Sequence, residues 1–181
     1  MSVKVCMLSK FNSLFDSRMF ENESKSLLKH GFHVTSIIPR YSGYISRLDF
    51  TTIRDQYLEK SFMHEGIHIL TYEYAQEPLE SMLLNIKSKN HHGFKDPLME
   101  AGLTVDADIY HAHSLYSLYA GIGIKRAMRE SGKEIKLIYD CRDMNVDPLN
   151  NLPDKQKMMD LLLCMLDEVD YLGSSLFSVE K

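Results

Sequence analysis

Residues 3–38 decide the fold: Val3-Lys4-Val5-Cys6-Met7-Leu8, a polar stretch, a helical pattern from Arg18 to His30, Gly31, and then Phe32-His33-Val34-Thr35-Ser36-Ile37-Ile38. The first run is apolar without alternation, as expected of a parallel strand buried on both faces. Asp16 or Ser17 is placed to cap the helix, which would turn Met19, Phe20, Leu27 and Leu28 inward, and Gly31 supplies its stop. The second run is rich in β-branched residues and is closed by Pro39, so it reads as another strand. Together the pieces make a βαβ unit.

The same alternation continues outward along the chain. Gly66–Tyr72 reads as a third strand, and Leu79, Met82, Leu83 and Ile86 then recur at helical spacing. A short helix over Pro97–Gly102 precedes a fourth strand at Asp108–Ala112. Ser114 caps a helix that runs to Ser131 and stops at Gly132. Ile135–Cys141 is a fifth strand, Asn151 and Pro153 open a helix through Asp167, and Tyr171–Ser174 is a last strand. Residues 40–65 mix aromatics and charges without a clear period and are expected to be mostly irregular. Right-handed crossovers then give an α/β, three-layer, doubly wound and mostly parallel sheet, Rossmann-like, in the order 3-2-1-4-5-6. With no repeat or linker, residues 1–181 form a single domain. The last residues, from Ser175 to Lys181, begin a helical pattern and stop, so the chain reads as a piece of something longer.

Composition excludes several classes. With 44% hydrophobic and 25% charged residues the chain can bury a core, and a net charge of -4 argues against nucleic acid as a partner. Three cysteines, Cys6, Cys141 and Cys164, are odd in number and widely spaced, which fits neither a disulfide framework nor a zinc site. No run is long and apolar enough to span a bilayer, and a cytoplasmic location is expected. Lys87, Lys89 and Lys95 follow an amphipathic helix, so a peripheral contact with the anionic inner membrane surface is one reading and a solvated face is the other.

In a doubly wound sheet a crevice opens beyond the carboxyl ends of strands one and four. That rule selects the loop Ser9–Ser17, with Lys10, and the turn His113-Ser114-Leu115-Tyr116, which should face each other. His111 and His113 share one side of the sheet. His111 reads as a core histidine. His113, beside a helix amino terminus at the mouth of the crevice, is the functional candidate. A His-x-His alone is a weak metal signal, and no metal or dissociable cofactor is expected. The first loop lacks Gly-x-Gly-x-x-Gly, which demotes a dinucleotide enzyme. Arg18 reads equally as a surface residue or a ligand contact. Asp140, Arg142 and Asp143, after strand five, line the same edge or form a local ion-pair cluster.

Four stretches carry a resemblance: Asp16-Ser17-Arg18-Met19-Phe20-Glu21 with Ser26-Leu27-Leu28 and Gly31-Phe32-His33-Val34-Thr35; Glu65-Gly66-Ile67-His68-Ile69; Ala107-Asp108-Ile109-Tyr110-His111-Ala112-His113; and Lys136-Leu137-Ile138-Tyr139-Asp140 followed by Val169-Asp170-Tyr171. In order and spacing they resemble the amino-terminal half of family-four-like glycosyltransferases of the GT-B fold. The resemblance implies retaining transfer of a sugar from a nucleotide-diphosphate sugar to a glycan or lipid-linked acceptor. This half would hold the acceptor, and a carboxyl-terminal domain absent from the chain would grip the donor. It further implies His113 as the catalytic residue looking over the cleft, bordered by Arg18, with Lys10, Asp16, Ser114, Tyr116 and Arg142 as acceptor-side or cleft-lining positions. The first loop lacks the family's glycine pair, and Cys141-Arg142-Asp143 replaces its usual Ser-His-Glu. Developing charge on a diphosphate needs preorganised cations, which this domain offers sparsely, so residues 1–181 alone are expected to transfer no sugar. The alternatives are a Rossmann-like binding module without catalysis and a small hydrolase or isomerase using His113 with Asp140.

Overall fold

The parallel part of the sheet is built from β1 (Lys4–Leu8), β2 (His33–Tyr41), β6 (Ile67–Glu73), β7 (Ile109–Ala112), β8 (Lys136–Cys141) and β9 (Tyr171–Ser174) in a computed structural model that describes residues 2–46, 52–53, 59–141 and 154–174. These strands lie in the order β6-β2-β1-β7-β8-β9, the arrangement expected from the sequence. The direction of winding reverses between β1 and β7.

Residues 40–65 are more regular than their sequence suggests. β3 (Tyr44–Ser46) pairs antiparallel with β2, β4 (Thr52–Ile53) with β3, and β5 (Ser61–His64) with β6. Two tight hairpins create this edge. Ser42 and Gly43 have φ of 52 and 84, and Glu65 and Gly66 have φ of 48 and 82. Two consecutive positive values suit the right-handed twist of a hairpin. Pro39 does not close β2, which runs on to Tyr41. The reason is local: β1 ends opposite Ile37, whose carbonyl accepts from the Ser9 N–H, so the missing Pro39 N–H faces past the end of its neighbour.

The first helix also differs from expectation. It begins as a π-wound segment, Ser17–Ser24, and becomes α-helical only in α1 (Lys25–Lys29). This segment buries Met19 and Phe20, with Leu27 and Leu28 packing alongside, against Val5, Met7, Val34 and Ile38 on one face of the sheet. The opposite face carries the larger core, under α2 (Leu79–Lys87), α3 (Pro97–Val105), α4 (Leu115–Glu130) and α5 (Lys155–Leu166). Burying an aliphatic or aromatic side chain contributes roughly 1.5–3 kcal/mol, so this face dominates stability. Cys6 belongs to it, and burial pushes its thiol well above the ordinary range, as for an inert apolar group. All three cysteines are free.

The amphipathic stripe of α2 is spent inside the protein. Met82 and Ile86 are buried, and Leu79 and Leu83 pack on the same core. Lys87, Lys89 and Lys95 are exposed, and of the apolar residues of α2 only Leu84 faces out with them. Among the described residues no helix is long and apolar enough to cross a membrane.

Candidate functional site

Three elements converge where the sheet changes direction. The first is the π-wound segment. Asp16 accepts hydrogen bonds from the N–H groups of Arg18 at 3.1 Å and Met19 at 2.7 Å, which caps its start. Within it the Glu21 N–H reaches the Asp16 carbonyl at 3.4 Å. This wide winding brings residues five apart together, and Arg18 Nε donates to Glu23 Oε1 at 3.2 Å. The second element is β7. Its register, Met7 beside His111 and His111 beside Ile138, puts the His111 side chain on the face under the first helix. His113 follows on the same side, just past the strand end. The third is β8, which delivers Asp140.

The resulting cluster is close-knit. The Arg18 guanidinium lies 2.9 Å from Asp140 Oδ2. His113 Nε2 lies 3.6 Å from Glu23 Oε2, and its Nδ1 lies 3.9 Å from Asp140 Oδ2. His111 Nδ1 is 3.8 Å from the same Glu23 oxygen, and the two imidazole rings are 4.3 Å apart, tilted by 37°. Beside the cluster is a cavity of about 460 Å³ floored by Val5, Phe32, Ile109 and Ile138, with Glu23 and His111 on its wall.

This geometry changes several expectations. His113 does not stand open at the lip of the crevice: its side chain is 0% exposed, held between Glu23 and Asp140, and neither ring nitrogen makes a hydrogen bond. Its Nδ1 lies 3.9 Å from Asp140 Oδ2, beyond hydrogen-bond length. His111, expected in the core, is the imidazole that reaches the cavity. Arg18 is a bridge between two carboxylates rather than a lone surface charge.

Lys10 does not line the crevice. Its ammonium is fully buried on the other side of the sheet, 2.6 Å from Asp96 and over the rings of Tyr72 and Tyr74. Burial pushes the Tyr72 hydroxyl up, and the Asp96 charge adds to the effect. The first loop therefore divides: Lys10 goes to the α3 side, and Asp16 and Arg18 go to the histidines. Ser114 is buried and committed to capping α4, accepting from the Ser117 N–H at 3.1 Å. Tyr116 packs edge-on against Phe11 at 5.5 Å. Arg142 and Asp143 lie outside the described residues.

Glu23 is the site residue that sequence reasoning missed. It is remote in sequence from both histidines and from Asp140, and its partnership with Arg18 depends on a helix winding that no spacing rule for α-helices would suggest. Chemically, the cluster joins two carboxylates, two imidazoles and one guanidinium at the end of an apolar cavity. Such a set can accept hydrogen bonds from hydroxyls, exchange protons or hold a cation. Comparison with known proteins adds no assignment: no protein-family model and no curated protein matches the chain.

Proposed function

We propose that this chain is the acceptor-side domain of a glycosyltransferase that moves a sugar from a nucleotide-diphosphate sugar, with the donor held by a second domain. The observation that carries the reading is the meeting of Arg18, from the turn before the first helix, with the histidine pair at the end of β7, through Glu23 and Asp140. These belong to two of the four stretches that carry the sequence resemblance, and they converge at the reversal point of a doubly wound sheet, where ligands gather.

The apolar floor of the cavity suits one face of a sugar ring or a lipid chain, and Glu23 and His111 on its wall suit hydroxyl groups. A diphosphate fits poorly beside Arg18, because two carboxylates already engage its guanidinium. Donor phosphates therefore belong elsewhere. For His113 to reach an acceptor, Arg18 must release Asp140 or Glu23 must swing aside, so acceptor binding and rearrangement of this cluster are coupled.

The test uses the protein expressed from its complete reading frame, assayed against UDP, GDP and ADP sugars. Turnover with one of them is expected, and His113→Ala and Arg18→Ala should each lower kcat/KM by roughly two orders of magnitude or more without unfolding the protein. Residues 1–181 alone should bind acceptor and transfer nothing. Complete burial of His113 favours a second reading, a binding module without catalysis. Saturable glycan binding with no turnover by the complete protein, and no effect of His113→Ala on that binding, would establish it instead.

A further inference from the structure

The cluster carries a second property, independent of sugar transfer. We propose that Glu23, His111, His113 and Asp140 form a binding site for a divalent transition-metal ion, zinc foremost. One ligand atom from each residue falls within 4.8 Å of the others. The sequence offered only a His-x-His, too little for a metal. Folding supplies the two missing donors from the first helix and from β8.

Two observations point to an ion rather than to an ordinary polar cluster. The His113 side chain is 0% exposed, yet neither of its ring nitrogens makes a hydrogen bond. Buried imidazoles are rarely left so. The spacings are also too long for hydrogen bonds and close to those of neighbouring ligands on one metal. His113 Nε2 and His111 Nδ1 stand 3.6 Å and 3.8 Å from Glu23 Oε2. Nitrogen and oxygen ligands about 2.0–2.2 Å from a tetrahedral zinc are about 3.4 Å from each other. A contraction of a few tenths of an ångström would bring Glu23 to both histidines at that spacing, and the group of four, within 4.8 Å, would draw in further.

The charge around the site suits a cation: among the described residues, Glu23 and Asp140 both face the two imidazoles. Arg18 bonds to Glu23 through Oε1, and Oε2 is the oxygen that faces the histidines. The guanidinium would thus orient the Glu23 carboxylate from outside, as outer groups do around bound metals, whereas at Asp140 it lies 2.9 Å from Oδ2, the oxygen that also faces His113. Two imidazoles select zinc and its first-row neighbours over magnesium, which prefers oxygen ligands and keeps its water.

The experiment is calorimetric titration of the chelator-treated chain with ZnCl2, CoCl2 and MgCl2, accompanied by thermal melts. One zinc per chain, a raised Tm and no response to magnesium are expected. Glu23→Gln and His113→Ala should each weaken binding at least tenfold, and the double variant His91→Ala/His92→Ala should bind like the parent. The latter removes an exposed group, His91 and His92 with Glu130, that could also hold an ion. The cobalt complex should show no thiolate absorption. Absence of stoichiometric zinc binding, a thiolate band, magnesium binding of equal strength, or loss of binding only in the His91/His92 variant would overturn the proposal. Circular dichroism checks each variant. If His113→Ala does not fold, Glu23→Gln decides alone, and unchanged affinity in it overturns the site.

Discussion

The Lys10 ammonium and the Asp96 carboxylate form an ion pair of 2.6 Å with both side chains wholly withdrawn from water. Asp96 also accepts from the Leu98 N–H at 2.8 Å and so starts α3. Removing the lysine strands a buried negative charge, and Lys10→Met is expected to cost about 3–5 kcal/mol of stability. Urea unfolding measures it. Adding Asp96→Asn should recover part of the loss, because asparagine keeps the cap without the charge.

Arg126 of α4 has a comparable structural role. Its guanidinium donates to the carbonyls of Asn85 at 3.0 Å, Ile86 at 2.8 Å and Asn90 at 2.9 Å, and meets Glu168 at 2.6 Å. One planar fork thus closes the end of α2 and ties it to the segment after α5. Arg126→Met should destabilise by roughly 3 kcal/mol or more, and Arg126→Lys should restore less than half, since an ammonium cannot serve that fan of acceptors. Chemical denaturation of both variants checks the order.

Asp170 predicts part of the acid sensitivity. Burial raises its carboxyl, but the Lys125 ammonium at 2.6 Å and the Leu137 N–H at 2.8 Å outweigh that and hold it below the usual carboxylate range. A depressed folded-state value means stability that is present above the unfolded value of about 3.9 and is lost as pH falls through the folded one. Asp170→Asn should therefore be less stable than the parent at neutral pH and show a shallower decline between about pH 5 and pH 2. Urea midpoints across that range give the comparison.

Surroundings separate two glycines of positive φ, one ending the first helix and one in a hairpin. Gly31 has φ of 84 with open space around a Cβ, whereas at Gly66, φ 82, a Cβ would lie 2.9 Å from a Leu28 methyl. Gly31→Ala should cost about 1–2 kcal/mol from backbone conformation alone. Gly66→Ala should cost more, because Leu28 must also move. Thermal melts of the two variants test the difference.

The sheet was readable because its strands are short apolar runs separated by recognisable stops: Gly31 and Gly132 end helices where expected, and Ser114 caps the helix that follows β7. The edge formed by β3, β4 and β5 was not, since its turns are Ser42-Gly43 and Glu65-Gly66 rather than the stronger Asn-Gly or Asp-Gly signals. Pro39 looked like a stop because sequence does not reveal where the neighbouring strand ends. At the site, the approach of Arg18's turn to the end of β7 followed from the strand order, but the burial of His113 between Glu23 and Asp140 did not. Lys10 misled because a loop lysine is usually exposed, and only tertiary packing brings Asp96 to it. Glu23 and the cavity-facing role of His111 depend on which helix covers which face, information that no local pattern contains.

The winding of residues 17–24 has a mechanical implication. In an ordinary α-helix, side chains five positions apart diverge by about 140°. Here the wider coil aligns Arg18 with Glu23 at 3.2 Å and thereby holds an acid over the buried imidazole. Rewinding the same residues as an ordinary α-helix, with none removed, would part the two and turn the shutter over His113 into an open door.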